Sequence, residues 1–303
     1  MHIPDGYLGP QTYLPAWGVM APVWSWASAR VKRTLRRRQL PMMALAAAFT
    51  FVVMMFNVPL PGGTSGHAVG SVLVAVLLGP WAAVVAVSLA LAVQALLFGD
   101  GGITALGANC LTMAVIMPFV GWSAYRLLAG RGDSTPRRRA LAAGMAGYVG
   151  VNAAALTAGV LLGLQPLVAH DAGGQPLYCP FGLAVAVPAM ALPHLLVIGF
   201  VEAAVTGLGL AYLMRTDPEL PIAAGPGAGE RTLRPLAVAV AAQRRARRRA
   251  AAIQGVAPPE PFLVSMRRTR RATAAMAATP NAAETPYQRA CDAIGAASPP
   301  GGP

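Results

Sequence analysis

The chain has 303 residues, 55% of them hydrophobic and only 12% charged, and its mean hydropathy is +0.54. Soluble domains carry about a quarter of charged residues, so this composition excludes an ordinary water-soluble globule. The net charge of +13 does not point to nucleic acid, because no Lys or Arg occurs between Arg38 and Arg126 or between Arg139 and Arg215, and those stretches are the apolar ones.

In chain order, the start Met1-His2-Ile3-Pro4-Asp5-Gly6-Tyr7 lacks the basic residues of a signal peptide. Met1 and His2 are therefore expected to persist in the mature chain. A helix needs roughly 20 apolar residues to cross the hydrocarbon core. The first such stretch runs from about Leu8 to Ala29, interrupted by Pro10, Pro15 and Pro22, and the second from Pro41 to Leu60. Ala68 to Phe98 is about 31 residues, or roughly 46 Å as a helix, too long for one upright crossing. Gly79-Pro80-Trp81 inside it reads as a turn, so a short span and then a full one are expected there. Further spans cover Ala105 to Leu128, Ala140 to Leu164 and Phe181 to Met214, seven in all.

The positive-inside rule fixes the orientation expected of that count. Seven crossings put the cluster Arg30, Lys32, Arg33, Arg36, Arg37 and Arg38 on the cytoplasmic side. They do the same for Arg126, Arg131, Arg137, Arg138 and Arg139, and for the tail. The opposite segments, 1–9, 57–67, 99–104 and 164–180, contain no Lys or Arg. The fold expected is an all-α integral membrane bundle of seven transmembrane helices, N-terminus outside and C-terminus cytoplasmic, in a membrane domain of residues 1–214. Residues 215–303 form a Pro-, Ala- and Arg-rich basic tail that reads as largely disordered, with Thr232 to Gln254 able to lie on anionic lipid. Cys110, Cys179 and Cys291 are odd in number and far apart, and define no disulfide framework.

The histidines are His2, His67, His170 and His194. The α-amine of Met1, the backbone amide nitrogen of His2 and Nδ1 of His2 can chelate one ion through a five- and a six-membered ring. Ni²⁺ and Cu²⁺ suit such nitrogen-rich square-planar sets. His67, at the end of the glycine-rich loop Pro61-Gly62-Gly63-Thr64-Ser65-Gly66-His67, offers the fourth nitrogen. Pro4 biases Ile3 toward an extended conformation, so the start can insert as a stiff plug. Asp5 reads as a cap for its loop and His170 as an exposed residue. His194 and Glu202, inside the last span, read as structural hydrogen-bonding groups, with a part in substrate release as the alternative. Asn57, Gln94 and Asn109 either satisfy irregular backbone or orient His67.

The start Met1 to Leu8 resembles that of the NikM/CbiM family, the substrate-binding (S) components of energy-coupling-factor (ECF) nickel and cobalt importers. So do the Pro61–His67 loop, Leu78-Gly79-Pro80-Trp81, Gly101-Gly102-Ile103-Thr104-Ala105-Leu106-Gly107-Ala108-Asn109, and Pro193-His194-Leu195 followed by Glu202. The resemblance implies Met1, His2 and His67 as metal ligands, and Ni²⁺ or Co²⁺ as transported substrate rather than catalytic cofactor. It implies a transmembrane coupling (T) subunit, ATPase subunits and often a small accessory membrane subunit as partners, in the inner (cytoplasmic) membrane. The basic tail has no counterpart in that pattern. No GxxxxGK[ST] and no HExxH occurs, so ATP hydrolysis falls to a partner and enzyme activity is not expected. A secondary permease would need acidic residues in broken helices, and Glu202 is the only carboxylate inside a span. The Pro4-Asp5-Gly6 start resembles that of the nickel-type members, which implies nickel rather than cobalt.

Overall fold

The computed structural model of the chain describes residues 1–35, 39–60, 64–130 and 134–217. The tail from residue 218 onward, Arg36 to Arg38, Arg131 and Pro61 to Gly63 lie outside the described residues.

Helix α1 (Pro10–Thr34) starts on extended Gly9, with Pro10 in the first turn where its missing N–H costs nothing, and ends on Lys32 and Arg33. Helix α2 (Leu40–Met55) stops short of the span expected from Pro41 to Leu60. Pro59 pushes Val58 out of the α region, and the chain turns instead into a two-stranded antiparallel ribbon, β1 (Val58–Leu60) with β2 (Thr64–Gly66), Pro59 opposite Ser65. This ribbon corrects the all-α expectation, although helices still dominate.

Helix α3 (Ser71–Leu78) and helix α4 (Pro80–Val93) are separated at Gly79, whose φ of 92° is a conformation that suits glycine, with Pro80 opening the second helix. The turn expected at Gly79-Pro80 is thus present. At eight residues α3 is only about 12 Å long, less than half the hydrocarbon thickness. It survives because Ser71 to Val76 are all buried in protein, where short helices and irregular backbone are tolerated. Helix α4 continues as a π turn, Gln94–Phe98. Helix α5 (Leu106–Asn109) passes through a second π segment, Cys110–Ile116, into helix α6 (Met117–Ala129). Helix α7 (Pro136–Gly163) is capped by the Thr135 hydroxyl and is followed by the short α8 (Gln165–Val168). Helix α9 (Leu183–Pro193) leads through a third π turn, His194–Ile198, into helix α10 (Gly199–Thr216).

Among the described residues four helical stretches are long and apolar enough to cross a membrane: Pro80–Phe98, Leu106–Ala129, Pro136–Val168 and Leu183–Thr216. Helix α2 is apolar but shorter.

Helix α7 packs on α6, α9 and α10, and its glycines set how close they come. A Cβ on Gly150 would stand 2.8 Å from the Met117 carbonyl oxygen, and one on Gly163 2.7 Å from the Cα of Leu183. Backbones approach at this distance only where a side chain is missing, the usual device for binding helices to one another in lipid. Gly107 does the same for α5 against α1, with a Cβ only 2.8 Å from the Trp17 nitrogen.

Candidate metal site

The segments free of Lys and Arg gather at one end of the bundle around the first residues of the chain. The Met1 amine donates to the Ser65 carbonyl and lies 3.4 Å from the Ser65 hydroxyl. Asn109 brackets Ile3, accepting its N–H at 2.9 Å and donating to its carbonyl at 3.1 Å. The same carbonyl accepts the Gly102 N–H at 2.9 Å. The Asp5 carboxylate accepts from the Ile103 and Thr104 N–H groups and from the Thr104 hydroxyl, the capping role expected of it. Further along, Tyr7 accepts from the Cys179 N–H and the Gly9 N–H donates to Gln165. Every backbone group of Ile3 is therefore satisfied, which lets an irregular segment lie buried.

Gly101 and Gly102 make room for it. A Cβ on Gly101 would stand 3.2 Å from the His2 ring, and one on Gly102 would stand 2.5 Å from the Asp5 nitrogen.

Met1, His2 and His67 are brought together, all but excluded from solvent. The His2 and His67 rings are stacked with centroids 4.5 Å apart. His67 Nδ1 must donate to the Ala68 carbonyl, 3.0 Å away, since a carbonyl only accepts. Its Nε2 then carries the lone pair and has no partner. His2 Nδ1 lies 3.2 Å from the Asp100 carboxylate, which only accepts, so in the neutral ring Nδ1 carries the proton and must give it up before it can bind an ion. Burial lowers the Met1 amine from 8.0 to about 4, against a smaller opposing pull from Asp100. Burial likewise lowers His2 despite Asp100, and lowers His67 well below 6.5, helped by the charges of the Met1 ammonium, His2 and His194. His2 holds Asp100 below the ordinary carboxylate range. The nitrogens are thus neutral bases at pH 7, the form in which amines and imidazoles bind metals.

Among the described residues no group of three or more His, Cys, Asp or Glu side chains is set to hold an ion.

The other polar residues sort themselves by contact. Asn109 satisfies the Ile3 backbone, while Gln94 donates to the Phe51 carbonyl at 3.5 Å and also hydrogen-bonds His2. Asn57 reaches the site through Asp100, at 3.3 Å. Glu202 is fully buried and accepts the Val69 N–H at 2.7 Å, the Gly70 N–H at 3.1 Å and the Thr206 hydroxyl at 3.1 Å. It anchors the chain two and three residues beyond His67. His194 donates from Nδ1 to the Met190 carbonyl at 2.7 Å. His170 is exposed, in a local turn held by Asp171, and takes no part. Sequence reasoning missed Asp100. The only signal was an acidic residue among Gly99, Gly101 and Gly102 at a helix end, where two of the glycines adopt positive φ.

Apolar spanning helices with basic nitrogens buried together at one end are consistent in chemistry with a membrane protein that handles a transition-metal ion. A family model for the cobalt uptake substrate-specific transmembrane region, CbiM, matches residues 2–220. The fused nickel transport protein NikMN of Rhodobacter capsulatus is 54% identical over 77% of this chain and 68% of its own length. The probable fused nickel transport protein LarMN of Lactiplantibacillus plantarum is 52% identical over 72% of this chain and 66% of its own. The chain thus spans about two thirds of these fused relatives. A crystal structure of a truncated transition-metal transporter is 52% identical, with a TM-score of 0.68, over 71% of this chain and 99% of that one. The chain belongs to the CbiM family of nickel and cobalt transport proteins of the membrane, whose members matched here are transporters and not enzymes.

Proposed function

We propose that the chain is the metal-specific substrate-binding subunit of an ATP-driven ECF importer, and that it captures Ni²⁺ with the Met1 amine, the His2 amide nitrogen, His2 Nδ1 and His67 Nε2. The observation that carries this reading is the buried Met1 amine gathered with the stacked His2 and His67 imidazoles, one of which has its Nε2 lone pair free. Four nitrogens in a plane suit a d⁸ ion, and the chelate rings fix the bite. Nickel is favoured because the relatives at 54% and 52% identity carry nickel in their names. Cobalt, for cobalamin-linked uptake, is the second reading, and the description of the matching family model favours it.

The gathering of segments 1–9, 57–67, 99–104 and 164–180 at one end supports seven crossings. Each pair of neighbouring segments is then joined by two passes, with the N-terminus outside and the last helix leading to the cytoplasm. A coupling subunit and ATPase subunits in the inner membrane supply the energy, since this chain has no phosphate-binding loop. Adding one residue before Met1 turns the amine into an amide. Equilibrium dialysis of the extended protein against Ni²⁺ is expected to show loss of binding, and the unextended protein is expected to give a yellow, diamagnetic complex. Normal binding by the extended protein, or a paramagnetic octahedral spectrum, overturns the site.

A further inference from the structure

His194 is the one buried imidazole not given a role by the chelate. It lies at 0% exposure at the start of the π turn His194–Ile198. Its Nδ1 proton is committed to the Met190 carbonyl at 2.7 Å, which leaves Nε2 as a bare lone pair with no partner. His67 shows the same pattern, with Nδ1 on a backbone carbonyl and a bare Nε2. A ring nitrogen held this way is the usual preparation of a metal-binding histidine, because the second bond fixes the tautomer and aims the lone pair. A buried lone pair kept without a donor otherwise costs stability.

The turn that carries His194 is packed against the strand that holds the Met1 amine. Met190, four residues before it, receives the Thr64 hydroxyl on its sulfur at 3.2 Å. Ile198, four residues after it, lies 3.2 Å from where a Gly66 Cβ would stand. The two contacts bracket Ser65, the partner of the amine. The segment that carries His194 is thus held against the strand that supplies the amine's partner.

We propose that His194 is a transfer ligand: its Nε2 adds to the ion held by Met1, His2 and His67 and begins the ion's passage into the bundle. The proposal rests on the chelate described above. A square-planar d⁸ ion exchanges ligands by adding a fifth donor first, so a lone pair waiting off the plane sets the rate at which the ion leaves without being needed to hold it. As the fifth bond forms, the bond to the Met1 amine breaks, and the His2 amide recovers from water the proton it gave up on loading.

His194→Asn separates this role from a structural one. The Asn amide group can reproduce the Nδ1 donation to Met190 but offers no nitrogen lone pair. The full chain, purified in detergent and loaded with Ni²⁺, is chased with excess EDTA while the planar d⁸ absorbance is followed. The variant is expected to load the same amount of nickel, with the same absorbance and thermal midpoint, and to release it at least tenfold more slowly. Release at the wild-type rate overturns the proposal. So does a folded variant that no longer loads, since His194 would then belong to the resting ligand set. His194→Ala, which also drops the Met190 bond, is the second variant. It is expected to slow release equally even where its thermal midpoint falls, and a wild-type rate in it likewise overturns the proposal. Failure of the chelate itself is read separately, in unextended wild-type protein that gives no planar absorbance.

Discussion

Gly102→Ala changes one methyl group, several residues from any ligand, and is expected to weaken nickel binding by roughly 30- to 150-fold. A Cβ at Gly102 meets the Asp5 nitrogen and the Asp5 Oδ1 at 2.5 Å and the Pro4 carbonyl carbon at 2.8 Å. Two of these atoms are main chain, so no rotamer change relieves the overlap, and the N-terminal segment itself must move. Moving it strains the Gly102–Ile3 bond of 2.9 Å and the donors from Ile103 and Thr104 to Asp5. A neutral hydrogen bond contributes about 0.5–1.5 kcal/mol, and the Asp5 bonds, being exposed, stay near the low end of the range for charged acceptors. Losing the first and about half of the rest costs about 2–3 kcal/mol. At about 1.4 kcal/mol per factor of ten this gives the stated range. Equilibrium dialysis of purified protein at fixed pH and salt measures it. Gly182→Ala is the control, because nothing lies within 4 Å of a Cβ there and its φ of −70° suits alanine. Binding by Gly102→Ala within twofold of wild type would refute the view that this loop sets the position of the plug.

Binding should also depend on pH with a definite sign. The Met1 amine titrates at 8.0 when free and at about 4 when docked, so the undocked segment binds the extra proton throughout that window. Docking is therefore fully favoured above about pH 8 and weakens by up to about tenfold per unit as pH falls toward 4. Ni²⁺ titrations across that range check it, and a flat profile counts against it. Glu202→Gln replaces one carboxylate oxygen by a donor facing the Val69 and Gly70 N–H groups, and should cost about 10- to 100-fold in nickel affinity by displacing His67. Dialysis measures this too, and unchanged affinity would show that the anchor is dispensable. Removing everything after about Ala224 should leave nickel binding unchanged in correctly inserted protein. Loss of binding there would give the tail a role in the site.

The sequence carried the helical pattern because apolar runs and their breakers act locally. Gly79-Pro80 separates α3 from α4 as its dihedral preferences require, and Pro10 opens α1. The proximity of His2 and His67 was expected from the proposed chelate and the family resemblance, and the structure stacks the two rings with Met1 buried as well. Asp100 was not legible. Its importance comes from lying 3.2 Å from His2, a neighbour 98 positions away in the chain that only the tertiary fold supplies. The β-ribbon escaped because three-residue strands carry too little alternation to separate from the end of an apolar span. The π segments escaped because the residues that form them are ordinary helix formers, and only packing decides which hydrogen bond each N–H makes.

The π turn after Pro193 has a consequence for rotational phase. His194 and Glu202 are eight positions apart, and a regular helix at about 100° per residue would leave them roughly 80° out of line. A π turn advances by only about 80° per residue, and five of the eight steps fall in one, so the total comes close to two full revolutions. One column of the last helix thus presents both groups, the imidazole beside the amine pocket and the carboxylate under the chain after His67. Deleting a single residue between Leu195 and Ile198 would relax the turn to a regular helix and leave the apolar length of the span almost unchanged. By the same figures seven steps at about 100° give the same total of about 700°, so α10 would keep its phase relative to α9 and Glu202 its neighbours, whereas a regular helix that kept all eight steps would set Glu202 roughly 80° out of line. The turn absorbs an extra residue without turning Glu202 away from its partners.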